Sequence, residues 1–125
     1  MIIGSGIDII EIRRIGESIQ RFGKSFLDRI FTAREQEEGV VRGGAETYYA
    51  GRWAAKEALS KALGCGIGKD CSWLDIEILN SESGAPYARL AGAALIKFTG
   101  INGSKLHISI SHERSNAVAM AIIED

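Results

Sequence analysis

The sequence predicts an α+β fold in which a mainly antiparallel sheet packs with helices, and three observations carry that reading. Apolar residues recur at spacings of three and four in some segments and at every second position in others, so helical and strand periods alternate along the chain. Turn-rich stretches, GCGIGKD, NSESGAP and ERSN, border the segments with the two-residue period. The length of 125 residues, 46% hydrophobic and 25% charged, suits one core. With no internal repeat, low-complexity tract or linker, residues 1–125 read as a single domain.

Taken in order, IIGSGIDII is rich in β-branched residues and reads as a strand over 2–10. From Glu11 the period changes, and Ile12, Ile15, Ile19, Phe22 and Phe26 form one helical stripe with Gly23 as a break point. Thr32 and Glu35 have the spacing of a capping box, which predicts a short helix over 33–38 that stops at Gly39. VVRGGAE reads as a loop. TYYAGRWAAKEALSKAL, 47–63, is dominated by strong helix formers and ends at Gly64, a residue suited to a left-handed cap. Residues 73–79 and 87–90 read as strands, AGAALIKF as a last helix, and KLHISISH and AVAMAIIE as the strands of a final hairpin.

Composition removes several function classes. Fifteen Lys and Arg against sixteen Asp and Glu give a formal net charge of −1, which lacks the basic excess of a general nucleic-acid coat. No stretch approaches the roughly 20 apolar residues of a membrane span, and charges follow the first strand where a signal peptide would be cleaved. Cys65 and Cys71 stand outside any CxxC or Cys/His cluster, as reduced thiols would. The expectation is a soluble, unexported, cytoplasmic chain.

Four features could carry chemistry. Asp8 interrupts an apolar strand, where a carboxylate is costly unless it is paired, hydrogen-bonded or bound to a cation; the plainer alternative is an outward-facing Asp at a strand end. Glu57 shares a helix face with Ala50, Trp53, Ala54 and Lys61, although an ordinary Glu57–Lys61 pair on a solvated face would look the same. Arg52, Lys56 and Lys61 put three cations within about 14 Å along one helix, as phosphate groups require and as a solvated face also would. His107 and His112 are five positions apart and face opposite sides of a strand, so they cannot share a metal; His112 with Ser111 is the better ligand contact. Beside these, Arg13, Arg14, Arg21, Lys24 and Arg29 outnumber Glu17 and Asp28 within 13–29. On one helical wheel Arg13, Arg14, Arg21 and Lys24 fall within about 100°, nearly opposite the Ile/Phe stripe.

Gly6-x-Asp8 with Arg14, Phe31-Thr32-x-x-Glu35, Gly51-Arg52-Trp53-Ala54-Ala55-Lys56-Glu57-Ala58-x-x-Lys61, Gly84-x-Pro86 and Ser109-x-Ser111-His112 together resemble the holo-acyl-carrier-protein synthase family of 4′-phosphopantetheinyl transferases. The likeness runs from the first strand to the last. It implies the fold of those transferases and the transfer of 4′-phosphopantetheine from coenzyme A to a serine of acyl carrier protein, with 3′,5′-ADP released, in fatty-acid biosynthesis. It implies that Asp8 and Glu57 hold Mg²⁺ on the coenzyme A pyrophosphate, that Lys61 neutralises the leaving phosphate, and that Glu57, directly or through a water, accepts the serine proton. By the same resemblance Arg52, Lys56, Lys61, Gly64, Pro86, Ser111 and His112 contact coenzyme A. Arg13, Arg14, Arg21, Lys24, Phe26 and Arg29 would contact the acidic carrier, and a homotrimer would place its sites between neighbouring chains. Ile10 stands where larger two-domain transferases carry a third carboxylate. The competing readings are a trimeric sensor of coenzyme A or a nucleotide, which has little use for Asp8 and Glu57, and an RNA-binding domain, which the net charge disfavours.

Overall fold

The computed structural model describes residues 1–125. Strand β1 (Ile2–Glu11) leads into helices α1 (Ile12–Phe22), α2 (Lys24–Ile30), α3 (Ala33–Val41) and the long α4 (Glu46–Ala62). A 3₁₀ turn (Trp73–Asp75), hairpin strands β2 (Ile76–Asn80) and β3 (Pro86–Leu90), helix α5 (Gly92–Gly100) and strands β4 (Lys105–His112) and β5 (Asn116–Glu124) follow. Every pairing is antiparallel, in two sheets: β1-β5-β4, and the β2-β3 hairpin. No helix is long and apolar enough to cross a membrane.

Helix α4 lies on the three-stranded sheet, and small residues on both sides decide how closely. Ala54, Ala55, Ala58 and Ala62 of the helix are buried, as are Ala117, Ala119 and Ala121 of β5. On β1 the row that faces the helix begins Gly4, Gly6, Asp8; a Cβ on Gly6 would collide with the Ala58 carbonyl oxygen, and one on Gly4 with that of Ala62. The two glycines therefore let the backbones touch, and the same two-residue period turns Asp8 toward the helix. Twelve of the seventeen α4 residues are buried, because α1, α2 and the β2-β3 side cover what the sheet does not.

Several boundaries differ from the sequence reading, each for a local reason. The stripe that begins at Ile12 is two helices, since Gly23 at φ 56° breaks it; Phe22 is then 54% exposed while Phe26 packs in the core. Helix α3 passes through Gly39 to Val41, because a Cβ at Gly39 would overlap the Tyr49 hydroxyl: the glycine serves close approach, not termination. Residues 73–75 form the 3₁₀ turn, with the Ser72 N–H donating to Asp75 Oδ2 at 3.2 Å, and Leu74 points outward. The Thr32–Glu35 capping box is present, with the Thr32 N–H donating to Glu35 Oε1 at 2.8 Å and the Glu35 N–H to Thr32 Oγ1 at 3.2 Å.

Candidate active site

Asp8 and Glu57 meet where β1 crosses α4. Asp8 is only 17% exposed at its side chain, and Lys61 Nζ reaches it at 3.3 Å while donating to the Ile7 carbonyl oxygen at 2.9 Å. Burial pushes the Glu57 carboxyl above the usual glutamate range, the Asp8 charge pushes it further, and Lys61 opposes both. The ordinary Glu57–Lys61 pair is not formed; Lys61 spans to the strand instead. No third acid, cysteine or histidine joins the pair, and Ile10, the next inward residue of β1, is buried. Asp8 and Glu57 are thus the two side chains here that could hold a divalent cation, with the Lys61 ammonium beside them.

A second cluster lies elsewhere on α4. Arg52 is 6% exposed, its guanidinium carbon sits 4.5 Å from the Tyr48 ring centroid, and Nη2 donates to Asn80 Oδ1. Its buried Nε has no partner, so one donor of the group is unmet. Arg52 lines a cavity of about 250 Å³ with Arg42, Tyr48, Gly51, Ile110 and His112. Its Asn80 partner pairs with Pro86 across the hairpin, which draws Pro86 to the same side. Arg42 and Tyr48 escaped the sequence reading; an arginine before the Gly43-Gly44 pair was the available sign. Gly64, at φ 84°, closes α4 beyond Lys61, and Ser111 and His112 are exposed at the end of β4. Arg52 and Glu57 are five residues apart, or about 140° around the helix, so the two clusters open on different faces of α4.

Lys56 departs from its expected contact with coenzyme A. It is fully buried, and Nζ donates to Glu35 Oε1 at 2.7 Å, the Ile30 carbonyl oxygen at 2.7 Å and the Trp73 carbonyl oxygen at 3.1 Å. All three N–H donors are spent inside the protein, which leaves none for a phosphate.

The basic face is also altered. Gly23 places Lys24 on α2, out of phase with Arg13, Arg14 and Arg21, and Lys24 pairs with Asp28 at 2.9 Å. Arg13 lies 3.6 Å from Glu17. Arg14, Arg21 and Arg29 remain exposed with no carboxylate within ion-pair distance. Phe26 is 8% exposed and stacked on Trp53 with centroids 6.2 Å apart, so it is a core residue and not a surface contact. Its edge still lines a cavity of about 280 Å³ with Ser18, Phe22, Ser25, Arg29 and Trp53, and Phe22 is the aromatic that projects.

Comparison with known proteins gives the arrangement its family. Residues 4–122 match the model of the 4′-phosphopantetheinyl transferase superfamily. Holo-[acyl-carrier-protein] synthases of Natranaerobius thermophilus and Clostridium perfringens are 45% and 48% identical over 98% and 99% of this chain, and over 98% and 95% of their own. The crystal structure of the synthase from Neisseria meningitidis superposes with TM-score 0.92 at 34% identity, covering 100% of both chains. That from Helicobacter pylori, solved in complex with coenzyme A, superposes with TM-score 0.85 at 38% identity, covering 96% of this chain and 99% of its own. A match that spans both β1 and α4 at these identities leaves one assignment: the chain belongs to the 4′-phosphopantetheinyl transferase superfamily.

Proposed function

We propose that this chain is a holo-[acyl-carrier-protein] synthase, which moves 4′-phosphopantetheine from coenzyme A to a serine of an apo acyl carrier protein for fatty-acid biosynthesis. The observation that carries the reading is the meeting of Asp8 and Glu57 beneath Lys61 in a chain whose relatives bear that name. The serine oxygen bonds to the β-phosphorus, the bond from that phosphorus to its bridging oxygen breaks, and 3′,5′-ADP leaves.

Asp8 and Glu57 would hold a hard divalent cation that prefers oxygen ligands, Mg²⁺. When bound, it supplies positive charge to the pyrophosphate and fixes its orientation. Lys61, half exposed beside Asp8, neutralises charge that develops on the departing phosphate. Glu57, directly or through a water, accepts the serine proton.

Arg52, Gly64, Pro86, Ser111 and His112 take coenzyme A, with Arg52 and His112 lining one cavity. Because one chain holds the Arg52–His112 cavity apart from the Asp8–Glu57 pair, the site is completed between chains of a homotrimer. The outward row of β1 supports this association: Ile7 and Ile9 are 56% and 66% exposed, with Met120 of β5 beside Ile7 at 44%. Arg13, Arg14, Arg21 and Arg29 steer the acidic carrier, with no nucleic acid or membrane involved, and two free cysteines accord with a cytoplasmic setting.

The test is an incubation of the protein with apo carrier protein, coenzyme A and Mg²⁺, read by the intact mass of the carrier. Addition of one phosphopantetheine is expected and should stop when the cation is chelated. A carrier that keeps its apo mass while coenzyme A binds would turn the reading to a sensor of coenzyme A.

A further inference from the structure

Lys56 immediately precedes Glu57 and touches none of the groups assigned to the reaction, yet it is a wholly buried cation paired with a wholly buried anion. Glu35 is as fully engaged as its partner: Oε1 accepts from the Thr32 N–H and from Lys56 Nζ, and Oε2 accepts from the Ile78 N–H at 2.8 Å. Stability alone does not explain such a pair. Taking both charges out of water costs about what their attraction returns, and apolar residues of similar volume often serve as well or better. What the ionic pair supplies is direction. A single Nζ ties α4 to the last turn of α2, to Glu35 of α3 and to the 3₁₀ turn, while Glu35 ties the same point to β2.

The opposite side of α4 is fixed too, by the backbone contacts of Gly4 and Gly6 with Ala62 and Ala58. Those contacts resist approach, but an alanine-faced helix on a glycine strand can still roll, because small side chains interlock little. Successive helical residues are about 100° apart, so the three bonds that hold Lys56 also set the direction in which Glu57 leaves the helix. We infer that Lys56 and Glu35 are positioning residues for Glu57: their buried network, which ties α4 to four other elements, sets the roll of α4 that brings Glu57 to Asp8. The inference rests on the reading of Asp8 and Glu57 as the cation ligands.

The test replaces the pair by apolar residues of similar size, Glu35→Leu with Lys56→Met, and titrates Mn²⁺ by electron paramagnetic resonance with coenzyme A present. Glu57→Gln is the control. A folded double variant is expected to bind Mn²⁺ roughly tenfold to a hundredfold more weakly, the usual cost of losing a group that orients a metal ligand. Its kcat should fall with little change in KM for the carrier protein. A purely structural role would move the melting temperature and leave Mn²⁺ affinity and kcat of the folded protein as they were, which would overturn the inference. If the double variant does not fold, Lys56→Gln decides by the same titration, with unchanged Mn²⁺ affinity again the contrary result. Were Glu57→Gln itself to leave Mn²⁺ affinity intact, the assignment of the cation ligands would fail, a result distinct from failure of the positioning role.

Discussion

The Asp8 carboxylate, on a strand, raises the proton affinity of Glu57, on a helix: two acids 49 positions apart in sequence share one partly buried spot with one lysine. Like charges so placed are an unfavourable pair in the bare protein and a favourable one around a cation. Asp8→Asn and Glu57→Gln keep side-chain volume and remove one charge each. Both variants should keep the circular dichroism of the parent and lose transfer activity on the order of a hundredfold or more, the scale of a removed charge-stabilising group. A near-parental rate from either would remove the assignment.

The same pair gives the cation-free protein a definite pH dependence. Glu57 has a raised folded-state pKa, so the folded state holds its proton to higher pH than the unfolded chain does. Its contribution is therefore fully present below the ordinary glutamate pKa and is lost as pH rises through the raised value. Thermal melts in chelator should show stability falling across that window. Asp8→Asn should shrink the fall, since one of its causes is gone, and added Mg²⁺ should oppose it by binding the deprotonated pair.

Gly6 is expected to be intolerant of any side chain. Its Cβ would meet a carbonyl oxygen of α4, which is backbone and cannot swing aside. Gly6→Ala should lower stability by about 1–3 kcal/mol, the range for overpacked cores. Its denaturation midpoint should drop with the m-value unchanged, and activity should fall in the surviving folded protein because Asp8 is two residues away.

The secondary elements were largely legible in the sequence, and the contents of the site less so. Periodicity locates β1, α4, β4 and β5, because each has one face on the core and a regular repeat. It misjudges Lys56 because a wheel assumes a solvated side, and α4 is buried on most of its circumference. Nothing in KEALSK reveals that one lysine ends inside the protein and the other at its surface. A wheel that continues through Gly23 puts Phe22 and Phe26 in one stripe, whereas the φ of 56° there resets the phase. The spacing of Thr32 and Glu35 predicts the cap that forms, but the second task of Glu35, holding Lys56, depends on partners 21 and 43 residues away.

The exposed apolar row of β1 makes an association test direct. Ile7→Glu places a charge in the centre of that face, next to the Lys61 and Met120 lining of a cavity of about 400 Å³. Light scattering should report a trimer for the parent chain and a smaller species for the variant. If the site is completed between chains, activity should fall with assembly even though Asp8, Glu57 and Lys61 are untouched. A parent that scatters as a monomer at active concentration would contradict the arrangement.

The last expectation concerns Arg14 and Arg21. They are seven residues apart on α1, so they lie about 20° from one another, away from the buried Ile12 and Ile15. Unlike Arg13 and Lys24, neither is matched by a carboxylate, which leaves their charge available to a partner. Exposed cations of this kind act mainly on encounter, through a field that salt screens over about 8–10 Å at ordinary ionic strength. Reversing both to Glu should raise KM for the carrier protein far more than KM for coenzyme A, because coenzyme A is assigned to cavities lined by other elements. The parent kcat/KM for the carrier should also fall steeply with salt, and the doubly reversed variant should respond less. Arg13→Glu alone should have a smaller effect, since Glu17 and Glu11 already offset that charge at 3.6 and 4.0 Å. Unchanged carrier kinetics in the double variant at low ionic strength would make α1 an ordinary solvated face and move the docking surface toward Phe22 and Arg29.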